Sequence, residues 1–184
     1  VQFRTTDNNV RIYGDGKFIK GTWTMSGVNP NARRLRLAGS LYQFGQSGTN
    51  VNFGSTRIGP VELFISPAAP ITAQTINGNK PGSIWHGTMR INNNNIAPAV
   101  TFHNGVFIVL GDTHFQQGKV LVDGCVVTVG QDTTTAVPSS FTNDAGFNGT
   151  NGGYVEMKGA ATVTQNVHGA GLFGSFAANH SFSG

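Results

Sequence analysis

The sequence predicts an all-β protein that closes on a small antiparallel barrel, and three observations lead there. Helical periodicity is nearly absent: no long window carries apolar residues at i, i+3, i+4 and i+7 without a Gly or Pro interruption. Short runs rich in aromatic and β-branched residues recur instead. Two pairs of such runs are joined by dipeptides of tight-turn type, Asn104-Gly105 and Asp123-Gly124.

Taken in order, Lys17-Phe-Ile-Lys-Gly-Thr-Trp-Thr-Met25 is the first strand run, and Arg34-Leu-Arg-Leu37 alternates strictly. Pro60-Val-Glu-Leu-Phe-Ile65 and Ser83-Ile-Trp-His-Gly-Thr-Met-Arg-Ile91 follow. In Val100–Val109, the Asn104-Gly105 pair supplies the two positive-φ residues of a type I′ turn. That turn predicts a hairpin pairing Phe102 with Phe107 and Val100 with Val109. Asp123-Gly124 predicts a second hairpin over Lys119–Thr128, pairing Leu121 with Val126. Tandem hairpins build an antiparallel meander, the basis of up-and-down barrels. Residues 131–153 read as a loop rich in Gly, Asn, Thr, Ser and Pro, after which Tyr154–Thr164 and Gly171–Gly184 supply the last strands. From Ser83 onward about seven or eight strands are available, enough to close a small barrel. Residues 1–82 carry turn signals at short intervals and form a separate β-rich part, with Asn77-Gly-Asn-Lys-Pro81 as the boundary to 83–184.

Only 11% of residues are charged, while Gly, Asn, Thr and Ser abound, a profile that suits a turn-rich extracellular β protein and is too apolar for disorder. The single cysteine, Cys125, excludes an intramolecular disulfide and reads as a buried, inert thiol in an apolar run. No apolar stretch approaches the roughly 18 residues needed to span a bilayer as a helix. The chain opens at Val1 and not on Cys, so the expectation is a secreted, non-lipidated mature form whose signal peptide has been removed. The net charge of +4 hides a split. Residues 1–90 hold ten of the twelve Lys and Arg against Asp7, Asp15 and Glu62, whereas 91–184 hold Lys119 and Lys158 against five acids. The basic half attracts an anion: phosphate, nucleic acid or the carboxylates of a small ligand.

Enzymatic motifs are missing. The two acids nearest in sequence are Asp7 and Asp15, and no Gly-x-Ser-x-Gly elbow, His-Glu-x-x-His or phosphate loop occurs, so the expectation is that the chain is not an enzyme. The histidines are His86, His103, His114, His168 and His180, none at the short spacing of a zinc site. Haem asks for less, one or two imidazoles aimed into an apolar slot.

The ending carries a family resemblance. Phe173-Gly174-Ser-Phe-Ala177 followed by Phe182 between two serines resembles the closing strands of the small C-terminal barrel of transferrin-binding protein B and its relatives. In size and in its start the chain resembles the secreted members of that group, the hemophilins. The resemblance implies a β-rich handle followed by an eight-stranded antiparallel barrel, and a hemophore that captures haem for a cognate outer-membrane receptor after release by outer-membrane export machinery. It implies that histidine from the handle or its junction binds iron. Here His86 and His103 are the candidate ligands, with His114 in reserve, and Arg33, Arg34, Arg36, Arg57 and Arg90 are the candidates for the propionates. The competing expectation is a β-sandwich adhesion or glycan-binding module, of the kind found on surfaces or phage tail tips, with exposed aromatics as its site. Nucleic-acid binding has only the Arg33-Arg34-Leu-Arg36 cluster behind it and is not expected.

Overall fold

A computed structural model of the chain describes residues 2–4, 9–18, 21–26, 34–43, 51–53, 62–67, 72–78, 83–86, 88–95, 98–109, 111–130, 139–160 and 165–181. The strands come in threes. β1 (Gln2–Arg4), β2 (Asn9–Ile12) and β3 (Gly16–Phe18) lead to β4 (Gly21–Ser26), β5 (Arg34–Leu37) and β6 (Leu41–Gln43). Then come β7 (Val51–Phe53), β8 (Glu62–Ile65) and β9 (Gln74–Asn77), and after them β10 (Ser83–His86), β11 (Thr88–Asn92) and β12 (Val100–His103). β13 (Val106–Val109), β14 (Thr113–Gln117) and β15 (Val120–Asp123) precede β16 (Val126–Gly130), β17 (Ser140–Asn143) and β18 (Phe147–Thr150). β19 (Tyr154–Ala160), β20 (Asn166–His168) and β21 (Phe176–Ser181) close the series.

Through β18, members of each three go to different sheets and every third strand returns to the same one; in the last three, β21 joins the sheet of β19 and pairs with it directly. An eight-stranded sheet runs β1-β4-β7-β10-β13-β16-β19-β21, a seven-stranded sheet β2-β5-β8-β11-β14-β17-β20, and a six-stranded sheet β3-β6-β9-β12-β15-β18. Neighbours pair in parallel, as in Ile84 beside Phe107, Phe107 beside Val127 and Val127 beside Val155. A parallel pair needs a crossover of a dozen residues or more; here the crossover is the rest of the turn, which itself lies in the other two sheets. The result is a three-sided parallel β-solenoid.

This overturns the expected antiparallel eight-stranded barrel. Positive φ occurs at one residue of each expected turn pair, Asn104 at 53° and Gly124 at 58°, and not at both central residues as a type I′ turn requires. The two pairs bend the chain around a corner from the third sheet to the first, and β12 does not pair with β13, nor β15 with β16. β12 pairs instead with β9 and β15, and β13 with β10 and β16. At the corresponding place one turn later, Asn151 and Gly152 both have positive φ, 51° and 77°. Corners stack as strands do: Gly124 N donates to Thr150 O at 3.0 Å and Tyr154 N to Cys125 O at 3.1 Å.

The core fills the space between the sheets. Alternation along each strand sends Val100 and Phe102, Phe107 and Val109, Thr113 and Phe115 inward. Stacked strands repeat those positions, so like packs on like: Leu37, Ile65, Ile91 and Phe115 form one inward column, all within 1% of complete burial. Phe102 meets Phe107 edge-on at 5.2 Å and Phe115 meets Phe141 at 5.1 Å. Several polar residues inside are bonded, above all Asn93, whose Nδ2 donates to Thr72 O (2.9 Å), Gln74 Oε1 (2.9 Å) and Ala99 O (3.0 Å), whereas the buried Thr113 hydroxyl has no hydrogen-bond partner.

The C-terminal motif plays another part than barrel closure. Phe173 makes an isolated parallel bridge to Phe147, where the third sheet would gain a strand, and it sits 5.9 Å from the Phe141 ring. Gly174 N donates to Phe147 O, and Ala177 lies beside Glu156 as β21 pairs with β19. Phe182 lies outside the described residues. All three sheets contain strands from both sides of residue 82.

Candidate functional site

The outward positions of the seven-stranded sheet carry a chemically distinctive column. Register places Arg11 beside Arg36, Arg36 beside Phe64, Phe64 beside Arg90, Arg90 beside His114, His114 beside Thr142 and Thr142 beside His168. Each neighbour is one strand spacing away, about 4.8 Å. These residues face outward because each lies next in sequence to an inward one: Leu35 and Leu37 flank Arg36, Met89 and Ile91 flank Arg90, and Thr113 and Phe115 flank His114.

At the Arg end a shallow cavity of about 160 Å³ is lined by Arg11, Ile12, Tyr13, Arg36, Phe64 and Ser66, among others. Phe64 points outward yet is only 6% exposed. The Arg36 guanidinium lies over its ring, 4.5 Å from the centroid, and covers it. A cation–π contact of this kind is worth about 0.5–1 kcal/mol at an exposed site, and it fixes the guanidinium plane. Tyr13 stands beside it, 73% exposed. Two guanidiniums and an exposed aromatic ring around one cleft can take a carboxylate and the apolar face of a sugar together.

Toward the other end the column changes character. His114 Nε2 bonds Asp144 Oδ2 at 2.8 Å, and His168 Nε2 bonds Thr142 Oγ1 at 2.8 Å. The hydrogen bond from His114 holds the Asp144 carboxyl below its ordinary range, against a smaller opposing effect of burial. This half offers imidazole, hydroxyl and one carboxylate, which suits hydrogen bonding to hydroxyl groups more than the capture of anions.

The sequence-predicted residues distribute as follows. Arg36 and Arg90 stand in the column, as does His114. Arg34 occupies a register position in β5 between Asn9 and Glu62, two residues before Arg36, and its side chain lies outside the described residues. Arg33 and Arg57 lie outside them altogether. His86 ends β10 in the eight-stranded sheet, beside Phe53 and Val109, and its side chain too is outside the described set. His103 ends β12 in the six-stranded sheet; its Nδ1 lies 3.0 Å from Asp123 Oδ2, an ion pair when the ring is protonated, though poorly aligned as a hydrogen bond. Asp123 is held below its ordinary range chiefly by Asn151, then by Thr150. The three proposed iron ligands therefore belong to three different sheets and are not brought together. Among the described residues no group of three or more His, Cys, Asp or Glu side chains is placed to hold a metal ion.

Sequence reading missed Arg11, Tyr13 and Phe64 as site residues, and Thr142, Asp144 and His168 with them. A signal was there. Arg11, Arg36, Phe64, Arg90, His114, Thr142 and His168 follow one another at intervals of 24 to 28 residues, a quasi-period that points to a coiled repeat. Comparison of the chain with protein-family models, curated proteins and solved structures returned no match.

Proposed function

We propose that the chain is a binding module for an anionic glycan, held on the outer face of the seven-stranded sheet. The observation that carries this reading is the register-aligned column with the Arg11–Tyr13–Arg36–Phe64 cleft at its basic end. An ionised sugar acid presents a carboxylate for bidentate hydrogen bonding by Arg and a C–H face for Tyr13. Ser66, which also lines the cleft, supplies a partner for a sugar hydroxyl. The reading also gives a use to the basic half of the chain.

Isothermal titration with oligogalacturonides, set against uncharged oligosaccharides of equal length, tests it. Binding is expected for the acidic series only, and Arg36→Ala should weaken it about tenfold or more, the loss of one charge-assisted contact of about 1.5–3 kcal/mol. Tyr13→Ala should also weaken it, by a smaller factor. Equal binding of acidic and neutral sugars, or an Arg36→Ala protein that binds like wild type, would sink the reading. Hemin is the informative control: a shifted Soret band with no glycan binding would return haem capture to first place.

A further inference from the structure

Resting on that glycan-binding reading, we infer that the ligand is a polymer laid lengthwise along the solenoid axis, its charged units at the Arg end and its hydroxyls at the His end. Three observations lead to this. The seven residues from Arg11 to His168 stand in one register column, and such a column runs perpendicular to its strands, along the axis. Six strand steps of about 4.8 Å give a track of roughly 29 Å, far longer than one sugar. The repeat of a 1,4-linked pyranose chain is close to one strand spacing, so successive units meet successive strands.

The column also has a direction. Arg11, Arg36 and Arg90 occupy three of its first four positions, and the Arg36–Phe64 stack holds one guanidinium in place. Beyond Arg90 the groups are His114, Thr142 and His168, and Asp144 is bonded to His114. A ligand carboxylate over His114 would face the Asp144 carboxylate, 44% exposed, and be repelled. A hydroxyl there meets imidazole nitrogens and a threonine instead. The two halves therefore act as distinct subsites: an ionic anchor, and a hydrogen-bonding extension that only a long ligand reaches.

The test is a length series of oligosaccharides that begin with two galacturonate units and are extended by neutral hexose units to about eight in all, titrated into the full chain and into Arg36→Ala, His114→Ala and His168→Ala. Affinity is expected to climb with each added unit and level off near six or seven, the number of strand positions in the column. Arg36→Ala should weaken every length. His168→Ala should leave the disaccharide unchanged and weaken the hexamer about two- to tenfold, the worth of one net hydrogen bond. Far-UV circular dichroism and the unfolding midpoint of each variant establish that it is folded. Affinity already at its plateau with the disaccharide, or a hexamer insensitive to both histidine variants, overturns the lengthwise track while leaving the anchor standing. If no acidic oligomer binds at all, the glycan reading itself fails. Equal binding of polyglutamate or single-stranded DNA of matched charge shows that charge alone is recognised and overturns the assignment to sugars.

Discussion

Replacing Asn93 by Asp probes the solenoid interior with a change of one atom. Asn93 follows β11 at a corner, is completely buried, and its Nδ2 group has three acceptors within 3.0 Å while carrying only two hydrogens. Its Oδ1 accepts from Asn95 N at 2.9 Å. One acceptor, Gln74 Oε1, belongs to a side chain that is itself buried and donates to Gly39 O at 2.8 Å. The amide thus ties residues of consecutive turns together. In Asn93→Ala the three acceptors lose their shared donor, at about 1 kcal/mol each, and a loss of about 2–4 kcal/mol is expected. In Asn93→Asp the shape is kept, but an oxygen now faces three oxygens and a charge is buried, so the loss at neutral pH should exceed that of the alanine. Burial and the facing acceptors raise the pKa of the new carboxyl in the fold. A group whose folded pKa is raised contributes fully below its unfolded value near 4 and loses that contribution as pH rises through the folded value. The gap between Asn93→Asp and wild type should therefore be narrow near pH 4 and widen toward pH 7. Urea unfolding followed by circular dichroism across that range gives the difference directly. An aspartate variant within about 0.5 kcal/mol of wild type at pH 7 would refute the buried three-acceptor geometry.

Four further outcomes are expected. Phe115→Ala removes the ring that meets Phe102, Phe141 and Phe147, and should cost about 3–5 kcal/mol by urea unfolding; a loss below 1 kcal/mol would place Phe115 outside the core. Gly118→Ala puts a methyl group against the Asn93 carbonyl at a φ of 80°, so it should destabilise by more than about 1 kcal/mol, and a neutral or stabilising result would contradict that approach. Burial pushes the Cys125 thiol up from 9.0 to about 12. The fold keeps it neutral while the unfolded chain ionises, so this contribution is present below pH 9 and is lost as pH rises toward 12; Cys125→Ala should flatten the alkaline limb, and thiol labelling at pH 8 should be slow until the chain unfolds. Asp144 has the opposite sign: its carboxyl is held below 3.8 by His114, so its contribution is lost as pH falls through that value, and Asp144→Asn should reduce the acid sensitivity of the urea midpoint. An unchanged acid limb would show that the exposed His114–Asp144 pair contributes nothing measurable, as many surface pairs do.

The all-β character of this chain was legible in its sequence, but residues 131–153, read as a loop, contain β17 and β18, and the seven or eight strands expected from Ser83 onward are the twelve from β10 to β21. The way the strands associate was not legible at all. The run Val100–Val109 shows why. Around a two-residue turn of Asn-Gly type, Phe102 and Phe107 face the same side whether the flanking strands fold back on each other or turn a corner. Their rings meet in both cases, here at 5.2 Å. Alternation and the residue types at the turn are local, and a solenoid corner uses the same Asn-Gly and Asp-Gly pairs as a hairpin. What separates the two is the partner across the ladder, Phe102 beside Ile76 and Val122, residues 26 and 20 positions away. Only the quasi-period of the whole chain records that, and the interval drifts between 20 and 28 residues, which blurs it. The site suffered the same way. Arg36 and Arg90 stood out as cations, but their alignment exists only in register. The histidines looked like ligands because spacing along the chain says nothing about which of three sheets each belongs to. The Phe173–Ala177 ending reads as barrel closure on its residue types, but here Phe173 bridges Phe147 and Ala177 pairs with Glu156 in parallel.

Because each turn is fastened to the next by ladders running along the axis, this molecule has a weak mechanical direction and a strong one. Pulled at its two ends, it is loaded so that the last strand peels away bond by bond, and the strands behind it stay paired until their own turn comes. Each release should pay out one turn of 20 to 28 residues, roughly 70–100 Å of extended chain. A force–extension trace would then show a series of small, similar steps where a closed barrel, with no free end, would give way in one large rupture. A protein of this kind can lose its outermost turn under load and regain it when the load is removed.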